Sequence, residues 1–461
     1  MTVIWFRRDL RIEDNPALTA AVASGRPVIA LYISSPAQWQ HHHVAPIQLD
    51  LTERALNLLS HQLAGIGIPL HHLVVPWYRD IPAALQQFCH QHQSQRVFAN
   101  RDHEVNESQR DQQVAASGVE LSLHHGDCLV PPGSVTTGSD TMYRVFTPFR
   151  RRWLQKVQLT LADPLPAPVA GPPVASSALI RLPVDSVCSG AWEVSAEGIG
   201  RLLAEFVDHR VDHYHQQRDL PAVDGTSRLS PYLALGMISP RQCLHQLLQR
   251  APWALEHSAS GPFTWLSELA WREFYRHLIV AWPKLCKGKN FNPLGDNIQW
   301  NDRPDLFQAW CQGRTGYPLV DAGMRQLQHT GWMHNRLRMV TASFLSKNLL
   351  IDWRLGERWF SQHLIDGDFA ANNGGWQWCA STGCDAQPYF RLFNPIRQSE
   401  KFDPQGDFIR RYVPELSDLD NKMIHMPSDR QRPADYPAPV VDYRQSRELA
   451  LSRFSVMKKG K

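Results

Sequence analysis

No Cys-x-x-Cys pair occurs in this chain, and its eight cysteines show no paired metal-ligand spacing. Cys379 and Cys384 are the nearest two, a poor basis for structural zinc, so reduced, buried thiols are the expectation. No apolar run reaches membrane-spanning length, and the opening Met1–Arg11 segment lacks the layout of a secretory signal. The chain therefore reads as soluble and cytoplasmic, with no membrane partner. No Gly-x-Gly-x-x-Gly follows the first apolar stretch, which removes the usual dinucleotide fingerprint. No nucleophile elbow or Ser/His/Asp order supports a hydrolase triad. His41, His42 and His43 are adjacent and cannot all face one ion, so no native metal site is expected. The formal net charge of +4 permits nucleic-acid binding through a local patch without arguing for it.

What the chain has in plenty is tryptophan, 16 residues, more than core packing alone asks for. An aromatic ligand or electron transfer would use the rest. At 461 residues the chain is long enough for two domains of ordinary size. Up to residue 128, short apolar segments (Thr2–Phe6, Val28–Ile33, Leu70–Val75, Arg96–Ala99, Leu121–His124) alternate with helical patterns, among them one opened by Asn15-Pro16. That alternation predicts an α/β domain with a doubly wound parallel sheet. Residues 129–194 read as a long linker. It carries a basic run from Tyr143 to Lys156, read as a solvated face, with contact to an acidic partner as the lesser reading. From residue 195 to 461 the patterns are helical. Ser230-Pro231 and Ser239-Pro240 are each read as an N-cap serine with proline at N1. The stretch after Met426 is polar and proline-rich, and is expected to be loosely packed.

Four stretches carry candidate chemistry. Ile365–Trp378 packs Asp366, Gly367, Asp368, Asn372, Asn373, Gly374, Gly375, Trp376 and Trp378 together, a mixture that suits one wall of an aromatic cofactor site. A polar, glycine-rich loop is the plain alternative. Thr226-Ser227-Arg228-Leu229-Ser230 sets hydroxyls and an arginine at a helix start, which suits a phosphate; a well-capped helix is the alternative. Trp265, Glu268 and Arg272 share one helical face, with Trp271 beside them. That face suits a polar aromatic guest, although Glu268–Arg272 is also ordinary i,i+4 ion-pair spacing. Asn335 and Met339 are four apart, while Arg336 and Arg338 point elsewhere. Trp300 and Trp353, taken singly, read as core residues.

These segments, together with Trp5-Phe6-Arg7-Arg8-Asp9-Leu10-Arg11, resemble the cryptochrome/photolyase family, and within it the bacterial DNA photolyases that act on cyclobutane pyrimidine dimers. The resemblance runs from the N-terminus to about residue 415 and fades in the last 35 or so residues. It implies an α/β antenna domain, a long linker and an all-α FAD-binding domain, and a carbon–carbon lyase active as a monomer without an obligate protein partner. Repair would proceed by electron transfer from photoexcited, reduced, anionic FAD to a dimer flipped out of bacterial DNA. Tyr214, Thr226, Ser227, Arg228, Leu229, Ser230, Trp265, Glu268, Arg272, Asp366, Gly367, Asp368 and Asn372 are implied as FAD contacts, with Arg338 paired to the acid at Asp366. Trp376, Trp353 and Trp300 are implied as an electron path, which replaces the core reading of the last two. Trp271 and Trp378 would sandwich the flipped dimer, Glu268, Asn335 and Met339 would touch it, and Arg218, Arg336 and Gln398 would lie near the DNA backbone. Glu268, Asn335, Arg338, Asp366 and Asn372 form the implied catalytic set. Histidines at positions 335 and 339 would mark repair of (6-4) photoproducts; Asn335 and Met339 favour the cyclobutane dimer. His42, Asn106, Glu107, Cys286 and Lys287 are implied contacts of a reduced folate antenna, 5,10-methenyltetrahydrofolate, with a deazaflavin or an empty site as alternatives. The rival reading is a cryptochrome-like photoreceptor without repair activity.

Overall fold

A computed structural model describes residues 1–185 and 187–458. The chain divides into two compact units. The first comprises Met1–Asp212, Ser227–Cys286 and Ile365–Asp368; the second comprises His213–Thr226, Lys287–Leu364 and the chain from Phe369 onward.

The first unit holds a five-stranded sheet in the order β3-β2-β1-β4-β5, with β1 at Thr2–Phe6, β2 at Val28–Ser34, β3 at Leu70–Val74, β4 at Arg96–Asn100 and β5 at Glu120–His124. All pairings are parallel, with Thr2 opposite both Val28 and Arg96. β1 and β2 are buried along their whole length, as strands covered on both faces must be. The helix Pro16–Ala23 starts as expected, the Asn15 Oδ1 accepting from Leu18 N–H at 3.1 Å. Beyond β5 this unit continues in the helices Phe146–Leu159, Ala196–His209, Pro240–Arg250 and Gly261–Ala281. The basic run of the connecting segment is thus a helix, with Phe149 and Trp153 fully buried on its inner side.

The Trp5–Arg11 motif is explained by what it holds. Arg11 Nη1 donates to Gly236 O at 2.8 Å, and Leu10 N–H donates to Leu235 O at 3.1 Å. Gly236 has φ +63°, and a Cβ there would lie 2.2 Å from Arg8 O, so only glycine permits this approach. Serine at 230 departs from expectation: Leu229 occupies the N-cap position of the short helix Ser230–Ala234, and Ser230 is its first residue. Ser239 caps as predicted, in a reciprocal box with Gln242.

The second unit is helical throughout, and no helix among the described residues is long and apolar enough to cross a membrane. Its principal helices are Pro304–Cys311, Pro318–Thr330, Asn335–Ser343, Trp353–His363, Phe369–Cys379, Pro395–Phe402, Asp407–Tyr412 and Tyr443–Arg453. They enclose Trp310, Trp353, Trp376, Tyr317 and Phe344. The helical pattern over Met333–Leu350 is not one α-helix: after Ser343 it widens into a π-helical turn, Phe344–Asn348. The C-terminal stretch is packed, which corrects the expectation of looseness. Tyr436 Oη donates to the buried Asp321 carboxylate at 2.7 Å, Tyr317 Oη donates to Val441 O at 2.8 Å, and Phe454 is 1% exposed.

Candidate active site

In the first unit the helix Gly261–Ala281 carries Trp265, Glu268, Trp271 and Arg272. Trp265 is buried, and its indole N–H points at Ser227 Oγ at 3.4 Å. The neighbouring Arg228 adopts a left-handed φ of +53°, uncommon for a residue with a side chain. Leu229 anchors that loop in the core, while Arg228 and Ser230 stay exposed.

Arg272 is held by partners outside its own helix. It binds the Asp127 carboxylate and donates to Leu233 O at 3.1 Å. Arg276, one turn on, grips Asp127 through Nε at 2.5 Å and binds Asp368 through Nη2. Burial works to raise the Asp127 pKa, but the two guanidiniums outweigh it and hold the carboxylate ionised. Asp127 and Arg276 were missed in the sequence because a lone acid after β5 and a lone arginine carry no motif. Asp366 is buried, and Gly367 O accepts from Gln48 Nε2 at 2.9 Å. The Asp366-Gly367-Asp368 turn is therefore fixed at its carbonyl and at its second acid.

Trp271 is half-buried and lies flat against Phe146, with ring centroids 3.6 Å apart and planes 9° from parallel. Elsewhere in this unit, His42 Nε2 meets Asn106 Nδ2 at 3.0 Å and Gln38 Nε2 at 2.9 Å. Burial, followed by the charge of Glu104, pushes the Glu107 carboxyl up to about 7. Burial lifts the Cys286 thiol to about 11, and that thiol lies close enough to Val105, Glu104 and Glu107 to feel all three. His42, Asn106, Glu107 and Cys286 thus form one cluster; Lys287, exposed, follows in the chain. The crevice at the C-terminal ends of β1 and β4 is where a doubly wound sheet ordinarily takes a ligand. Here it is lined by Arg7, Arg8, Asp9, Asn100, Asp102, Asp127 and Arg276. Its side chains are tied together by Arg7–Asp111 and Arg110–Asp102 ion pairs.

In the second unit, Asn372 is held by its amide nitrogen, which donates to Glu357 O at 3.0 Å and to Ser361 Oγ at 3.1 Å. A backbone carbonyl can only accept, so the nitrogen must face it and the amide oxygen is the end left to receive a donor. Trp376 and Trp353 lie in the core and Trp300 nearer the surface. Trp376 and Trp353 are 2% and 0% exposed, and Trp300 is half-buried against Phe454. Trp353 Nε1 donates to Asn290 Oδ1 at 3.1 Å. Trp376 packs directly on the backbone of the helix that carries Trp353, through Gly356. Trp310, not foreseen, lies 6.0 Å from Trp376 in a T-shaped pair.

Asn335 opens its helix on the exposed side, with Arg338 and Met339 half-buried one turn on. Arg338 Nε donates to Met333 O at 2.8 Å. Arg336 pairs with Asp219 at 2.7 Å and lies over the Phe402 ring, while Arg218 approaches the same acid at 3.8 Å. Tyr214 is buried beneath Arg218. Trp378 is half-buried near Phe393, and Gln398 is half-buried on the helix Pro395–Phe402. Thr226 closes the segment His213–Thr226 of this unit.

Residues 2–170 match the family model for DNA photolyase, and residues 265–456 match that for the FAD binding domain of DNA photolyase. The deoxyribodipyrimidine photo-lyase of Vibrio cholerae is 47% identical over 470 residues, covering 99% of this chain and 100% of that protein. That of Escherichia coli is 47% identical over 474 residues, covering 100% and 99%. Among solved structures, a class III photolyase from Agrobacterium tumefaciens superposes with a TM-score of 0.83 at 35% identity, covering 99% of this chain and 98% of that one. A Synechocystis cryptochrome gives 0.84 at 29% identity, covering 98% of each. The chain belongs to the DNA photolyase family.

Proposed function

We propose that this chain is a carbon–carbon lyase that repairs cyclobutane pyrimidine dimers in DNA under light. The observation that carries the reading is the 47% identity, over the full length, to proteins named for that activity. FAD, when bound in its reduced anionic form, supplies the light-excited electron that splits the dimer. The residues present fit such a group. Asn372 turns an acceptor oxygen toward its surroundings, as a ring N–H requires. The left-handed loop at Arg228 leaves Arg228 and Ser230 accessible for phosphates.

The other roles are those that the resemblance to the family implies for these positions. Thr226, Ser227, Arg228, Leu229 and Ser230 bind the cofactor's phosphates, and Tyr214, Trp265, Glu268, Arg272, Asp366, Gly367, Asp368 and Asn372 are its other contacts. Asp127 holds Arg272 and Arg276 in place, and Arg276 in turn holds Asp368. Arg338 favours the anionic form of a flavin through its charge. Glu268 and Asn335 hydrogen-bond the flipped bases, Trp271 and Trp378 stack on them, and Met339 fills the apolar remainder. Flipping is least costly for a damaged, poorly stacked pair, so the lesion is selected partly before contact. Trp300, Trp353 and Trp376 pass an electron from surface to interior.

Within this reading, residues 1–128 form the antenna domain, 129–194 the linker and 195–461 the catalytic domain of a monomeric cytoplasmic protein. The cluster of His42, Asn106, Glu107 and Cys286 supports a folate antenna, since a carboxyl, an amide and a ring nitrogen suit a pterin edge. A cryptochrome-like receptor is the alternative, raised by the Synechocystis neighbour. The test is a duplex carrying one thymine dimer, incubated with flavin-loaded protein and reductant in light. Restored thymines are expected; none, with flavin bound, would favour the receptor.

A further inference from the structure

The basic helix of the connecting segment has an inner face that neither charge nor solvation explains. Phe146 opens the helix Phe146–Leu159 and is 5% exposed, with its ring laid flat on the Trp271 indole at 3.6 Å. Aromatic pairs left to themselves favour offset or T-shaped contacts. This near-parallel pair is held by its surroundings. Phe146 meets Phe274 edge-on at 5.7 Å, and Phe149 packs on Phe274 at 5.0 Å. Arg150 lies over Phe146 at 5.6 Å and donates to Ser267 Oγ at 3.0 Å, on the helix that carries Trp271. Trp153 Nε1 donates to Glu273 Oε2 at 2.6 Å on that same helix. The two helices are therefore locked together on both sides of the stack.

We propose that Phe146 is a positioning residue for the lesion: it clamps one face of Trp271 so that the indole presents a fixed plane to the flipped pyrimidine dimer. The inference rests on the reading of Trp271 as a dimer-stacking residue. A half-exposed indole on a helix surface otherwise samples several rotamers, and a base that stacks on it must first freeze them. With Phe146 beneath, that ordering is complete before DNA arrives. The helix Phe146–Leu159 becomes the wall behind the lesion pocket, while Arg151 and Arg152 remain on its exposed side.

The experiment measures dark binding of flavin-loaded protein to a duplex with one thymine dimer and to the same duplex undamaged. Phe146→Leu is expected to weaken dimer binding about fivefold to tenfold, the scale of one newly unfrozen side chain, and to leave undamaged binding unchanged. Phe146→Tyr, which keeps the ring, restores wild-type affinity. In a Trp271→Ala background Phe146→Leu has no further effect, because the clamp has nothing left to hold. A purely structural role would instead lower flavin content and affinity for both duplexes. Wild-type dimer affinity in Phe146→Leu, or losses that multiply in the double variant, would overturn the inference alone. Unchanged dimer affinity in Trp271→Ala would overturn the stacking reading and the clamp with it.

Discussion

A methyl group at position 356 has no room. A Cβ there would sit 2.1 Å from the far edge of the Trp376 ring and 2.6 Å from Leu345 Cδ2. Gly356→Ala is expected to cost about 1–3 kcal/mol, the usual range for overpacking, and to displace Trp376. Photoreduction of oxidised flavin should slow, while dimer repair by pre-reduced protein survives. Trp376→Phe removes the indole without crowding Gly356: it should abolish photoreduction while repair by pre-reduced protein survives, and unaltered photoreduction would remove Trp376 from the electron path. Glu273 makes a different kind of prediction. It is fully buried, and burial lifts its carboxyl to about 7 from an ordinary 4.5, against hydrogen bonds from Trp153, Leu129 and Val130. The folded state therefore holds this proton more tightly than the unfolded chain. The group's contribution to stability is present below pH 4.5 and falls as pH rises to about 7. The loss amounts to about 3 kcal/mol at 1.4 kcal/mol per unit. Denaturant midpoints across that window should show a downward slope that flattens in Glu273→Gln; an identical slope would assign it elsewhere.

The last helix, Tyr443–Arg453, was hidden in the sequence because it has almost no apolar stripe, burying only Ser446 and Ala450. Polar links and the turn that follows it hold it in place. Asn348 Nδ2 donates to Ser446 Oγ at 3.1 Å, Arg453 reaches Gln299 O and Asn301 Oδ1 at 2.8 Å, and Phe454 sits edge-on to Trp300 at 5.8 Å. Ending the chain at Val441 is expected to cost about 3 kcal/mol or more from the lost burial of Phe454 and Met457, and to raise quenching of tryptophan fluorescence by iodide. An unchanged denaturation midpoint would show that the helix contributes nothing to the unit's stability. The same physics explains what was and was not legible. The strands were plain because central strands are unbroken apolar runs, and the Asn15 and Ser239 caps because capping is local. The π-helical turn was not, because the helical spacing of Leu337, Val340, Phe344 and Leu345 carries no sign of a widened turn. Lys347 lies fully buried inside that turn, its Nζ donating to Arg391 O at 3.1 Å. The glycine-rich stretch became the helix Phe369–Cys379 through partners far away in sequence, with Asn373 on Glu357 and Gln377 on Phe291 N–H. The family motifs gave positions for cofactor and lesion contacts, but not the residues that hold them. Asp127, Arg276, Gly356 and Phe146 act through one or two long-range contacts each, and such contacts leave no periodicity.

A molecule with a net charge of only +4 cannot grip DNA by its overall field, so backbone binding must come from a few placed cations. Arg218 and Arg336 are the candidates, and both lean on Asp219. That acid orients them and also cancels part of their charge. Each phosphate neutralised contributes about 0.9 to the slope of log affinity against log salt. Arg336→Ala should lower that slope by about one unit and weaken damaged and undamaged duplex alike. Asp219→Asn should act in the opposite sense, raising affinity for both at low salt and leaving their ratio unchanged, since a phosphate carries no sequence or damage information. Trp271→Ala should do the reverse of either: the ratio collapses while the slope stays. Salt titrations of the three variants on both duplexes therefore separate the grip on the backbone from the choice of lesion. If Arg336→Ala altered the ratio and left the slope untouched, Arg336 would belong to the lesion pocket, and the backbone contacts would have to be sought on other cations, beginning with Arg151 and Arg152.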